Sequence, residues 1–211
     1  MSIVHVMRHG HVDNPQGVLY ERMPGFHLSD LGRAMVEKAA SFFQSLPISH
    51  LRCSPLERTQ ESMRPVAALF PHLDVETDVR VIEAGNLFAG QIMGSTAQAA
   101  KVPSNWRYLL NPFRPSWGEP YAQIADRMRA AILDSADLVG DQGQAVIVSH
   151  QLPIWVSRLR VEGRHLWHDP RKRQCTLASV TSFHVHEGMI IGVDYAEPAR
   201  DLLPTGPRFG F

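Results

Sequence analysis

The chain has 211 residues, with 21 Lys and Arg balanced by 21 Asp and Glu. That length suffices for one sizeable core without demanding two domains. A formal net charge of zero excludes a chain-wide attraction to nucleic acid or anionic membrane, and 44% hydrophobic with 20% charged residues excludes a disordered composition.

The first element is a buried strand, Ile3 to Met7, running into Arg8, His9 and Gly10. A loop rich in Gly, Pro, Asn and Asp follows from His11 to Leu28; loops of this length are usually functional or mobile. Ser29 is the expected N-cap of a helix reaching about Leu46, with Asp30 in its first turn and Leu31, Met35, Ala39, Phe42 and Leu46 on one face. Ile48 to Cys53 is the second strand. Pro55 is placed in the first turn of the next helix, which carries Arg58 and is expected to kink or restart at Pro65.

Val79 to Glu83 reads as a strand or extended edge. The segment 84–118 is irregular, with Pro103, Pro112 and Pro115, a short helix expected around Asn105 to Leu110, and Phe113 and Trp117 as core or lid residues. A helix is expected from Tyr121 to about Val139. Ala145 to Val148 is a strand ending in Ser149 and His150, and Pro153 to Glu162 is helical in pattern. Leu177 to His186 and Met189 to Tyr195 read as an edge hairpin around Glu187 and Gly188, followed by an irregular tail from Pro198. Alternating strands and helices give an α/β fold: a three-layer sandwich with a mostly parallel central sheet, an antiparallel edge and helices on both faces. Residues 1–211 are read as a single domain, with 84–118 as its irregular lid or specificity segment.

Two of these strands end in histidine. If they are parallel neighbours, His9 and His150 meet at the edge where open α/β sheets bind ligands, and Arg8 and Arg58 converge there. Two guanidinium forks beside two imidazoles make a poor core and a good oxyanion site, because guanidinium is always charged and bonds phosphate bidentately. Taken singly, His9 and His150 would each read as a hydrogen-bonded core histidine.

Arg8-His9-Gly10, Ser54-Pro55-Leu56-Glu57-Arg58-Thr59 and Val148-Ser149-His150, in that order, resemble the histidine phosphatase superfamily, also called phosphoglycerate mutase-like. Leu28-Ser29-Asp30-Leu31-Gly32 resembles the start of that family's first helix. The resemblance implies that His9 is a nucleophile forming a phosphohistidine, its tautomer set by a hydrogen bond to backbone near Gly10. It implies that Gly10 lets the chain approach the phosphate. Arg8, Arg58 and His150 would hold the phosphoryl oxygens without a metal or other cofactor. The proton donor implied is Glu83, whose apolar neighbours Ile82 and Ala84 would raise its pKa, with Glu119 as its rival. Asn14 is a further substrate-binding candidate from the first loop, and Arg22 is weighed beside it; loop side chains of both kinds are otherwise solvated.

Three positions depart from the family pattern: His11 where Glu or Gln is usual, Gln151 where Gly is usual, and Gly85 to Gly90 in place of a Gly-x-Trp-Glu-Gly run. The pairs His165/His168 and His184/His186 lack a carboxylate or cysteine to complete a metal site. Cys53, near Arg58, is weighed as an oxidation-sensitive thiol against a small buried hydrophobe. No CxxC spacing, signal peptide or bilayer-length apolar run is seen, so a cytoplasmic location is expected. The activity expected is hydrolysis of a small phosphate ester, with no nucleic-acid or membrane partner and a homodimer left open. The alternatives are phosphoglycerate mutase-type transfer and a non-catalytic relative that binds phosphorylated ligands or proteins.

Overall fold

The structure is a computed structural model and describes residues 1–85, 89–90 and 118–204. The expected short helix near Asn105, the residues Phe113 and Trp117, and the end of the tail lie outside the described residues. In chain order the elements are β1 (Ser2–Arg8), α1 (Asp30–Ala40), β2 (Ile48–Cys53), α2 (Glu57–Leu69), β3 (Val75–Thr77), α3 (Tyr121–Val139), β4 (Gln144–Ser149), α4 (Gln151–Val161), β5 (Val180–His186) and β6 (Met189–Ala196).

The six strands form one sheet in the order β3-β2-β4-β1-β5-β6. β1 and β4 are parallel neighbours with Arg8 opposite Ser149, and β2 runs parallel to β4 with Cys53 opposite Val148. β5 lies antiparallel to β1, and β6 antiparallel to β5. Their connecting turn puts Glu187 and Gly188 at φ values of 49° and 70°, the positive-φ pair that suits the twist of a hairpin. This is the expected α/β sandwich with an antiparallel edge.

Strand alternation divides the core in two. In β4, Val146 and Val148 pack with Met35, Val36 and Ala39 of α1 and Met63 and Val66 of α2. Ala145 and Ile147 face Met128, Ala131 and Ile132 of α3 and Ile154 of α4. The period-2 pleat therefore sends alternate side chains to two helical layers, and the strand is buried on both faces. Among the described residues no helix is long and apolar enough to cross a membrane.

Several expected boundaries move. Ser29 caps α1 by accepting from Gly32 N, but the α-helix stops at Ala40 and tightens into a 3₁₀ turn, Ser41–Phe43, that sets Phe42 and Phe43 edge-on against the buried His5. Pro55 precedes α2 instead of opening it, because Leu56 is the N-cap. α2 also runs through Pro65 without restarting, with Met63 and Val66 anchored in the core on either side. α4 begins two residues earlier than expected, at Gln151, which leaves Pro153 in the first turn, where its missing N–H costs little.

The stretch expected as a strand at Val79 to Glu83 is a 3₁₀ turn, Val79–Val81. Asp78 accepts from Arg80 N at 2.7 Å and so competes with any ladder. The third parallel strand is instead β3, too short and too exposed to show a pattern.

Gly10 packs against α1. A Cβ there would stand 2.5 Å from Gly32 O and 2.9 Å from Val36 Cγ1. Helix packing alone therefore requires glycine at position 10. Gly10→Ala is expected to lower stability by about 1–3 kcal/mol, measured as a shifted urea midpoint; an unchanged midpoint would contradict this packing role.

Candidate active site

The site forms where β1, β2 and β4 end together. His9 N donates to Ser149 O at 3.1 Å and Ser54 N to Val148 O at 3.1 Å, so the residue after each strand is still held by its neighbour. Arg8, His9, Arg58 and His150 are thereby brought to one place, and all four are buried.

His9 Nδ1 lies 2.8 Å from Gly10 O. A carbonyl oxygen only accepts, so Nδ1 carries the hydrogen and Nε2 keeps its lone pair. Burial first, then the charges of Arg58 and Arg8, hold the His9 pKa well below the usual 6.5, and the ring is neutral near pH 7. The His150 ring stands 5.3 Å from that of His9, centroid to centroid. Its Nε2 bonds Ser54 Oγ at 2.8 Å, and its Nδ1 is buried without a hydrogen-bond partner among the described residues. Burial and Arg58 likewise depress the His150 pKa well below 6.5.

The two arginines are anchored on backbone, not on carboxylates. Arg8 Nη1 donates to Cys175 O at 2.7 Å, while Arg58 Nη2 donates to Glu21 O and its guanidinium lies 4.7 Å from the centre of the Tyr20 ring. Arg8 Nε, Arg58 Nε and Arg58 Nη1 are buried donors without protein partners among the described residues. Together with His150 Nδ1 they are four unspent nitrogens in one cluster, where buried polar atoms are normally bonded.

Glu83 reaches the same place from the other side of the sheet edge. Its Oε1 accepts from Ala84 N at 2.8 Å, and its Oε2 stands 4.0 Å from His150 Nδ1. Burial raises its pKa, against the pull of Ala84 N–H, Arg58, Arg173 and Arg8. The 3₁₀ turn before it is tied to β4 by Ser149 Oγ donating to Val81 O at 2.7 Å.

Glu119 and Asn14 make their side-chain hydrogen bonds with other partners. Glu119 accepts from Arg22 Nη2 at 2.7 Å and from Arg127 Nε at 2.8 Å, so both its oxygens are spent on guanidinium groups. Asn14 closes its own loop, donating to Val18 O at 2.8 Å and accepting from Val18 N at 3.0 Å. Cys53 is fully buried, and burial pushes its thiol up to about 12, which removes the thiolate an oxidation-sensitive cysteine needs.

Two of the unusual positions have structural tasks. His11 Nδ1 bonds Ser29 Oγ at 2.8 Å, fixing the cap of α1. Gln151 Nε2 donates to Cys175 O at 3.3 Å, the carbonyl that also anchors Arg8, and its Oε1 accepts from Arg173 Nη1 at 3.1 Å. Sequence reasoning missed Tyr20, Ser54's contact with His150, and Arg173, because each acts through a tertiary contact with no local pattern.

This sheet order, with its histidines at parallel strand ends, is that of a phosphoglycerate mutase-like α/β fold. It superposes on Bacillus stearothermophilus YhfR with a TM-score of 0.73 at 18% identity, over 90% of this chain and 94% of that one. It also matches a phosphoserine phosphatase from Entamoeba histolytica, solved with 3-phosphoglyceric acid, with a TM-score of 0.72 at 18% identity over 94% and 100% of the two chains. The uncharacterized protein Rv0525 of Mycobacterium tuberculosis is 48% identical over 196 residues, 93% of this chain and 96% of that protein. The profile of the histidine phosphatase superfamily (branch 1) matches residues 4–196, and the chain belongs to that family.

The buried histidines make stability depend on pH. His5, His9, His150 and His168, the last at about 4, all have depressed values, with burial the main cause in each. A histidine neutral in the fold takes up a proton on unfolding, so below about 6.5 the unfolded state binds more protons and stability falls with pH. Glu83, whose pKa is raised, works in the opposite sense but is one group against these four and against His11 and His50, which are lowered as well. The melting temperature is expected to be highest near neutrality and to fall steadily from pH 7 to pH 5; a rise on acidification would contradict the buried neutral histidines.

Proposed function

We propose that the protein is a phosphomonoester hydrolase that passes the phosphoryl group through His9, with a small phosphorylated metabolite as substrate. The observation that carries this reading is the cluster of unspent donors on Arg8, Arg58 and His150 beside a neutral imidazole with a free Nε2. Family membership supports phosphoryl transfer as the reaction class.

In this reading, Nε2 of His9 attacks phosphorus in line with the ester oxygen. The P–O bond breaks as the N–P bond forms, and the leaving alkoxide takes the proton of Glu83. Burial raises the Glu83 pKa and so favours the protonated form that this step needs. The Glu83 carboxylate then takes a proton from water, the oxygen attacks phosphorus, the N–P bond breaks, and inorganic phosphate leaves. Arg8 and Arg58 spread their charge over the equatorial oxygens through both steps. Ser54 O–H donates to His150 Nε2, which leaves Nδ1 protonated as a further donor. Asn14, whose side chain closes its own loop, would join the grip on phosphate only by exchanging those bonds. Two buried free thiols, Cys53 and Cys175, accord with the cytoplasm as its setting.

The test is a phosphatase assay in EDTA with two esters, an aryl phosphate and an alkyl phosphate. His9→Ala is expected to lose about a thousandfold or more on both. Glu83→Gln is expected to lose on the order of 10²-fold or more on the alkyl ester and far less on the aryl ester, whose leaving group needs little protonation. Equal activity in wild type and His9→Ala would overturn the nucleophile, and equal losses on both esters in Glu83→Gln would overturn the acid.

A further inference from the structure

Glu83 follows a short 3₁₀ turn and lies in none of the strands or helices of the described residues, so no ladder or helix among them fixes its backbone. What holds it is a pair of arginines. Arg22, from the first loop, donates through Nε to Glu83 O at 2.7 Å, and Arg127, from α3, reaches the same carbonyl through Nη2 at 3.4 Å. Arg127 Nη1 also donates to Arg80 O at 2.6 Å, at the start of the same stretch.

Two guanidinium groups converging on one carbonyl repel each other, and Glu119 offsets that repulsion. Its Oε2 accepts from Arg22 Nη2 at 2.7 Å and from Arg127 Nη2 at 3.1 Å, and its Oε1 accepts from Arg127 Nε at 2.8 Å. Glu119 N also donates to Gly85 O at 3.0 Å, two residues beyond Glu83. The carboxylate is mostly buried, so its charge-assisted bonds are poorly screened by water.

We infer that Glu119 is a positioning residue, which locks Arg22 and Arg127 onto the Glu83 carbonyl and thereby sets where the Glu83 carboxyl stands against the leaving group. The inference rests on the reading of Glu83 as proton carrier. The carboxyl is aimed by its backbone, because its one hydrogen bond with an adjacent residue, to Ala84 N, moves with the chain. Removing the Glu119 charge frees both arginines, shifts the Glu83 backbone and leaves two uncompensated cations near a carboxyl that must keep its proton.

The test is Glu119→Gln, which keeps the shape and removes the charge, assayed on the same two esters beside Glu83→Gln and the double variant. Glu119→Gln is expected to lose about 10- to 100-fold on the alkyl ester, the scale of a misplaced catalytic group, and only a small part of that on the aryl ester. The alkaline limb of its kcat/KM profile is expected to move to lower pH, since the freed cations favour the Glu83 carboxylate. The double variant is expected to be no slower than Glu83→Gln alone, because Glu119 acts only through Glu83. Should Glu119→Gln fold poorly, Arg22→Gln, at a more exposed position, is expected to give the same leaving-group signature at smaller size.

Equal losses on both esters, or multiplying losses in the double variant, would overturn the inference while leaving Glu83 as the acid. If Glu83→Gln itself shows no leaving-group dependence, the reading of Glu83 fails and the inference falls with it.

Discussion

Burying two guanidinium groups beside two imidazoles is the constraint on which the rest of the structure depends. Taking charge out of water is costly unless it is bonded and compensated, yet Arg8 and Arg58 have no carboxylate within ion-pair distance among the described residues. The fold meets that cost with backbone carbonyls, Cys175 O for Arg8 and Glu21 O for Arg58, and with the Tyr20 ring. The loop 11–28, which supplies Tyr20 and Glu21, is tied to α2 by Gly25 N donating to Glu57 Oε1 and Leu28 N to Glu61 Oε2, and is closed at its base by the bridge between Val12 and Leu28. Gln151 braces the carbonyl that Arg8 uses.

The same arrangement sets the protonation of the site. Burial first, and then the charges of the arginines, drives both histidines to their neutral forms, while burial raises Glu83. Groups whose ordinary values lie about two units apart are thus pushed towards each other: burial favours the unprotonated imidazole and the protonated carboxyl. That division of labour is what the proposed transfer from ester to His9 requires.

Much of this was legible in the residues. β1 and β4 announce themselves as apolar runs ending in histidine, and Arg58 falls in a helix start that Ser54-Pro55 marks. The places where the reading failed share a physical cause. At Val79 to Val81 a side-chain bond from Asp78 outcompetes the β propensity of the valines. At Pro65 tertiary packing carries the helix past a residue that breaks helices in isolation. Gly10 serves α1 packing, and Glu119 serves two arginines distant in sequence; neither relation has a local signature.

The central claim is that His9 carries the phosphoryl group, and rapid quenching of the wild-type protein during turnover of an aryl phosphate, followed by peptide mass spectrometry, tests it most directly. The account predicts an acid-labile phosphoryl adduct on the peptide containing His9. Turnover with no adduct at any quench time, or an adduct on a residue other than His9, would contradict it.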